Sequence, residues 1–187
     1  MDGFLLALLL VFALALGGRD QWQVAHWAEK LGQSAQLLAV GVLCALLSAG
    51  LMTWIGSEFA LLLPRRAGQM LVAFALAIAA VELAWPVRQT GPEEPTRSLG
   101  AIAIILLARQ IGDGARFAVF ALAAWAALPL PAGIGGALGG AAAVTLGWAM
   151  GAQGLARLHL KVVRRCLAAC LAVAALFIGL DARLSVF

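Results

Sequence analysis

The sequence predicts an all-α membrane protein, with six transmembrane helices arranged as two inverted three-helix repeats. Three observations predict it. Of the 187 residues, 64% are hydrophobic and only 12% are charged, with a mean hydropathy of +0.99. Six apolar runs can be counted, each near the ~20 residues a helix needs to cross a bilayer core. Their Leu/Ala/Val stretches are continuous rather than alternating, so helices and not barrel strands satisfy the backbone in lipid. The third observation is a self-match of the sequence at an offset of 95 residues.

The first span is expected over residues 3–28, interrupted by Gly17-Gly18-Arg19-Asp20-Gln21. Residues 4–16 resemble a signal peptide, but Met1-Asp2-Gly3 gives no positive n-region, so the segment is read as a span. Trp22 and Trp27 suit an interfacial belt or a packed bundle face, and His26 an interfacial or satisfied histidine. Residues 29–34 read as a loop. Span 2 is expected over 35–55 and span 3 over 69–85, with Glu82 near its end, either snorkelling to the interface or lying on an ion path. Residues 87–98, with Arg88, Glu93, Glu94 and Arg97, form a polar linker that divides a first repeat (1–86) from a second (99–187).

Span 4, residues 99–125, carries the most informative stretch: Arg109-Gln110-Ile111-Gly112-Asp113-Gly114-Ala115-Arg116. An acid inside hydrocarbon is costly unless paired, hydrated or neutralised, and marks a functional site by default. On a continuous helix Arg109 and Arg116 would both face Asp113, while Gly112 and Gly114 thin the helix for close approach. Residues 128–131 read as a tight turn. Span 5 (132–151) is rich in small residues that permit backbone-to-backbone packing. Residues 157–165 read as a basic loop, and span 6 follows over 166–180. Cys44, Cys166 and Cys170 form no CxxC pair and are read as small buried apolar residues.

Basic residues orient the chain. The loops after spans 1, 3 and 5 hold seven (Lys30, Arg88, Arg97, Arg157, Lys161, Arg164, Arg165), and the other side three (Arg65, Arg66, Arg183). The positive-inside rule then puts the linker in the cytoplasm and both termini outside, as in a bacterial inner-membrane protein. The net charge of +4 is spent on orientation, not on nucleic acid.

At the offset of 95, Leu16-Gly17-Gly18 falls on Ile111-Gly112-Asp113, Val24 on Val119, Ala28 on Ala123, Gly41 on Gly136, Leu43 on Leu138 and Gly56 on Gly151. Three spans per half make the second half enter from the opposite side. Inverted repeats of this kind place a transport site at corresponding broken helices near the midplane, here at Gly17, Gly18, Gly112 and Gly114.

These residues resemble the calcium/manganese–proton antiporters of the Golgi and of bacteria, in the lysine-exporter superfamily. Each half of those proteins carries Glu-x-Gly-Asp-Lys/Arg-Ser/Thr. Gln110-Ile111-Gly112-Asp113-Gly114-Ala115, with its sequel Phe117-Ala118-Val119-Phe120, is similar to one motif, and Ala15-Leu16-Gly17-Gly18-Arg19-Asp20 to the other. The resemblance implies cation binding by the motif acids. Of the four, Asp113 alone is retained; Gln110 and Ala15 hold the Glu positions, Gly18 holds the other Asp position, and Asp20 falls on a hydroxyl position. Hard divalent ions want oxygen ligands, which Asp113, Gln110, Asp20 and Gln21 would supply, with Arg19, Arg109, Arg116 and Glu82 as charge partners.

The expected function is secondary transport, a Mn²⁺ or Ca²⁺/proton antiport with a reduced ligand set. The alternatives are export of an amino acid or other organic solute, and a non-transporting accessory membrane protein of the same fold. An enzyme is not expected: Ser48-Ala49-Gly50 lies in an apolar span and only His26 and His159 offer bases. No P-loop, dinucleotide fingerprint or zinc pattern is present. The expected partners are the bilayer, a transported ion or solute and, optionally, a second copy of the chain, with no cofactor beyond the transported ion.

Overall fold

In a computed structural model, residues 2–87, 97–125 and 129–184 are described. Among these residues eight helices run in order: α1 (Asp2–Ala15), α2 (Arg19–Leu31), α3 (Ala35–Leu62), α4 (Arg65–Ala84), α5 (Leu99–Ile111), α6 (Gly114–Trp125), α7 (Pro129–Ala156) and α8 (Leu160–Leu184). Four of them, α3, α4, α7 and α8, are long and apolar enough to cross a membrane, or five spans if α1 and α2 count as one. Spans 2, 3, 5 and 6 of the sequence reading thus correspond to four long helices, and the two interrupted spans to the broken pairs α1–α2 and α5–α6.

The breaks fall where the polar interruptions lie. α1 and α2 meet at a 64° bend. Gly17 sits there at φ +71, a left-handed conformation that costs glycine nothing and any other residue strain. α5 stops at Gly112, and α6 begins at Gly114 with the Asp113 carbonyl accepting from Arg116 and Phe117 N–H. At 13 and 12 residues, α5 and α6 are each too short to span alone.

Other boundaries also move. Glu29 and Lys30 belong to α2, so the first loop shrinks to residues 32–34, and α3 continues through Glu58 to Leu62. Pro129, Leu130 and Pro131 open α7 rather than forming a turn, as proline tolerates a first helical turn; Leu128 lies outside the described residues, as does most of the 87–98 linker. α7 kinks at Gly151, the end expected for span 5. α8 begins at Leu160, so the basic segment is helical from there on and Arg164 is buried in it.

The long helices pack α3 on α7 and α4 on α8, and α1 lies along α7. α4 and α8 are antiparallel: Arg164 of α8 reaches Glu82 of α4, while Gly179 lies beside Ala73. One core joins Val11, Leu14, Leu76, Leu83, Val119 and Leu171. A second joins Val24, Trp27, Leu37, Cys44, Ile102 and Val144. Trp22 and Trp27 are buried, so they serve packing rather than a belt, whereas Cys166 and Cys170 lie exposed on α8, contrary to the buried reading. Leu9, Leu47, Trp54, Phe74, Ile104 and Phe177 are all more than half exposed. Such an outer shell suits hydrocarbon rather than water.

Lipid offers apolar helices no hydrophobic drive to associate, so their contact depends on close packing at small residues. α7 supplies this with Gly139, where an added Cβ would collide with the Leu8 carbonyl oxygen and lie 2.9 Å from Phe12 N. Gly139→Val is expected to cost about 1–3 kcal/mol by forcing α1 off α7. A melt of the detergent-solubilised variant that matches wild type would contradict this packing.

Candidate functional site

The two breaks meet in one buried polar cluster. Asp20, Gln21, Gln110, Asp113, Arg116 and Ser48 are each at most 3% exposed. Asp20 sits in the first turn of α2 with Gly18 as N-cap, a position that favours an acid against the helix dipole. Its Oδ1 accepts from Gln21 N–H at 2.8 Å and its Oδ2 from Gln110 Nε2 at 3.3 Å. The two motifs are thereby in direct contact, 90 residues apart in sequence.

Gln110 Oε1 in turn accepts from the Ser48 hydroxyl at 2.9 Å, and Ser48 Oγ accepts from Arg116 Nε at 2.7 Å. The chain Asp20–Gln110–Ser48–Arg116 thus ties α2, α5, α3 and α6 together. In the sequence Ser48 reads as a packing serine of span 2 rather than as a site residue. Ser48→Ala strips Gln110 Oε1 and Arg116 Nε of their partner. Unmade buried hydrogen bonds cost about 1–3 kcal/mol, so a lowered Tm is expected, and an unchanged one would exclude this link.

Gln21 holds the first break: Oε1 accepts from Gly17 N–H at 2.7 Å and Nε2 donates to the Ala143 carbonyl at 2.8 Å. Its amide is committed to backbone, so it acts as a clamp rather than a free ligand. Gln21 and Arg116 are 95 residues apart, and so are their partners Ser48 and Ala143. Each reaches from a broken helix to the long helix of the other half. A second correspondence is in packing, where a Cβ on Gly41 would meet Val24 and one on Gly136 would meet Val119.

Asp113 behaves differently. As the residue before α6 it is placed to cap that helix with its side chain. Yet Oδ1 and Oδ2 are both buried, with no hydrogen-bond partner among the described residues. The carboxyl lies within electrostatic reach of Asp20, Glu82, Arg116 and Arg164. Arg116 is fully buried, and its Nη1 and Nη2 also find no partner. Its guanidinium lies over Gly140, where a Cβ would come within 2.7 Å of Nη1.

Beside this cluster Glu82 forms a second knot. Its carboxylate pairs with Arg19 at 3.2 Å and Arg164 at 3.4 Å, and accepts from Gly114 N–H at 3.2 Å. Arg19 also donates to the Gly112 carbonyl at 3.1 Å, closing the end of α5. Glu82 therefore neither snorkels nor stands alone. Arg109 is exposed on α5 and makes no ion pair with Asp113 among the described residues. The break at Gly112 removes the helical i,i+4 relation that would have joined them. With Arg109 outside and Arg164 and Glu82 inside, three carboxylates (Asp20, Glu82, Asp113) share the region with three guanidiniums (Arg19, Arg116, Arg164).

The donor set is thin for a hard divalent ion. Among the described residues, no three His, Cys, Asp or Glu side chains gather as a metal group. The uncommitted oxygens are those of Asp113, with Asp20 and Gln110 engaged with each other. Comparison of the chain with protein-family models, with curated proteins and with solved structures finds no match.

Proposed function

We propose that this chain is a membrane-embedded secondary transporter built from two halves of inverted topology. α1–α4 and α5–α8 each comprise a broken helix followed by two long ones. The matched breaks, and the matched reach of Gln21 and Arg116 into the opposite half, support this arrangement. In such folds cargo is held where corresponding helices unwind.

The observation that carries the reading is the Asp113 carboxyl, buried at a break with neither oxygen partnered among the described residues. An isolated carboxylate is too costly to bury ionised and bare. It is compensated by either a proton or a cation, and alternation between the two is proton-coupled exchange. The cargo on this reading is a small cation, Mn²⁺ or Ca²⁺ as the sequence resemblance implies, held by Asp113 with Asp20 and Gln110 rearranged toward it. The cytoplasmic linker and outside termini complete the orientation.

One observation favours a second cargo. Arg116 Nη1 and Nη2 have no partner among the described residues, and a guanidinium edge receives a carboxylate in bidentate fashion. An organic solute bearing a carboxylate would engage Arg116 as its amine or proton engages Asp113. Proteoliposomes with an imposed pH gradient separate the two. Gradient-driven uptake of Mn²⁺, Ca²⁺ or Na⁺ supports the cation, uptake of an amino acid supports the solute, and transport of neither refutes the transporter reading.

A further inference from the structure

On the outer side of the Glu82 knot, two adjoining depressions open where the end of α4 meets the start of α8. The first, of about 190 Å³, is basic: Lys161, Arg164 and Arg165 line it together with Gly17 and Trp22. The second, of about 490 Å³, runs along α4 and is walled by Phe74, Ala77, Ile78 and Val81, with the paired Arg19 and Glu82 also in its lining. Trp85, Pro86 and Val87 form a wall of both. A basic pocket thus continues into an apolar groove across one tryptophan.

The charge in the basic pocket exceeds its internal compensation. Arg164 is 5% exposed and paired with Glu82 through Nη2, while its buried Nη1 has no partner among the described residues. Lys161 and Arg165 lie one turn apart on the exposed side of the same helix. Phe74, Ile78, Val81 and Trp85 are each 49–69% exposed, so the groove is open along its length. The pocket lies at the first turn of α8, 25 residues long, which places it at the end of a span. There headgroups meet protein, and tryptophan is favoured.

We propose that this composite site binds an anionic phospholipid, its phosphate held by Lys161, Arg164 and Arg165 and one acyl chain lying in the α4 groove. The shared chemistry is a phosphate anion, and basic pockets between spans on the positive side of a membrane suit such headgroups. The apolar groove favours the lipid over free phosphate, since only a lipid fills both depressions. The proposal does not rest on a transport role for Asp113, although Arg164 also pairs with Glu82 beside that cluster.

The test uses the purified full chain in neutral detergent, titrated with dioctanoyl phosphatidylglycerol, dioctanoyl phosphatidylcholine or inorganic phosphate, with Tm as readout. Phosphatidylglycerol is expected to raise Tm saturably, and phosphatidylcholine to do so far less. The Lys161→Gln/Arg165→Gln variant changes two exposed side chains and is expected to melt like wild type without lipid. It should need roughly thirtyfold more phosphatidylglycerol, as two surface cations near an anionic headgroup imply. Equal stabilisation by both lipids, or an unshifted titration in the variant, overturns the proposal. Inorganic phosphate that matches and displaces phosphatidylglycerol overturns the lipid as occupant and leaves a phosphate site.

Discussion

Asp113→Asn is expected to fold as well as the wild type and to lose transport by at least about a hundredfold. The two halves of that expectation have separate causes. Among the described residues no group donates to either Asp113 oxygen, so an amide in its place breaks no bond seen there, and removing a bare buried charge relieves desolvation. Transport, by contrast, needs a group that takes up and releases a proton, a role worth about 10²–10⁴ in rate where it is required. Paired Tm and flux measurements check both. A variant with unaltered flux would remove Asp113 from the mechanism, and one that failed to fold would make it a structural acid.

Arg116→Ala is expected to be the most damaging single substitution to stability in the cluster, at about 3–5 kcal/mol, the cost of breaking a buried charge constellation. It deletes the donor to Ser48 and opens a void over Gly140. It also leaves Asp20 and Asp113 facing each other with less positive charge nearby. Adding Asp113→Asn to Arg116→Ala should recover at least about 1 kcal/mol, since coupled charges give non-additive losses. Strict additivity in denaturant or thermal unfolding would mean that the two groups do not interact.

How far the sequence carried these conclusions depends on the residue. Asp113 and Asp20 were legible because acids within apolar runs stand out against the cost of burying charge. The break positions were legible from Gly17-Gly18 and Gly112 and from their shared offset. The contact between Asp20 and Gln110 follows from bringing those breaks together. Arg109 went astray because the i,i+4 argument assumes a continuous helix, and Gly112 ends it. The break itself was expected, but its effect on the phase of Arg109 was not carried through.

Arg164 was hidden by its neighbours, since Arg157, Lys161 and Arg165 make the segment read as a loop. Helical phase would have found it: Leu160, Arg164, Ala168, Leu171 and Ala175 form the buried stripe of α8. Ser48 follows the same logic, falling in step with buried Gly41, Cys44, Ala45 and Met52 on α3. A hydroxyl on such a stripe must find a partner, but which partner depends on packing between halves and is not written in local sequence. Cys166 and Cys170 are the converse, small residues read as buried that turn toward the outer face of α8.

The most direct test of proton-coupled transport through Asp113 is the internal pH of proteoliposomes carrying a trapped pH-sensitive dye, recorded as cation is added outside. The account predicts that Mn²⁺, Ca²⁺ or Na⁺ entry drives protons out of wild-type vesicles at a rate proportional to protein. It predicts no such signal from Asp113→Asn vesicles holding the same amount of folded protein. A cation-driven pH signal of equal size in the variant, or wild-type traces indistinguishable from empty liposomes for every cation, would contradict it.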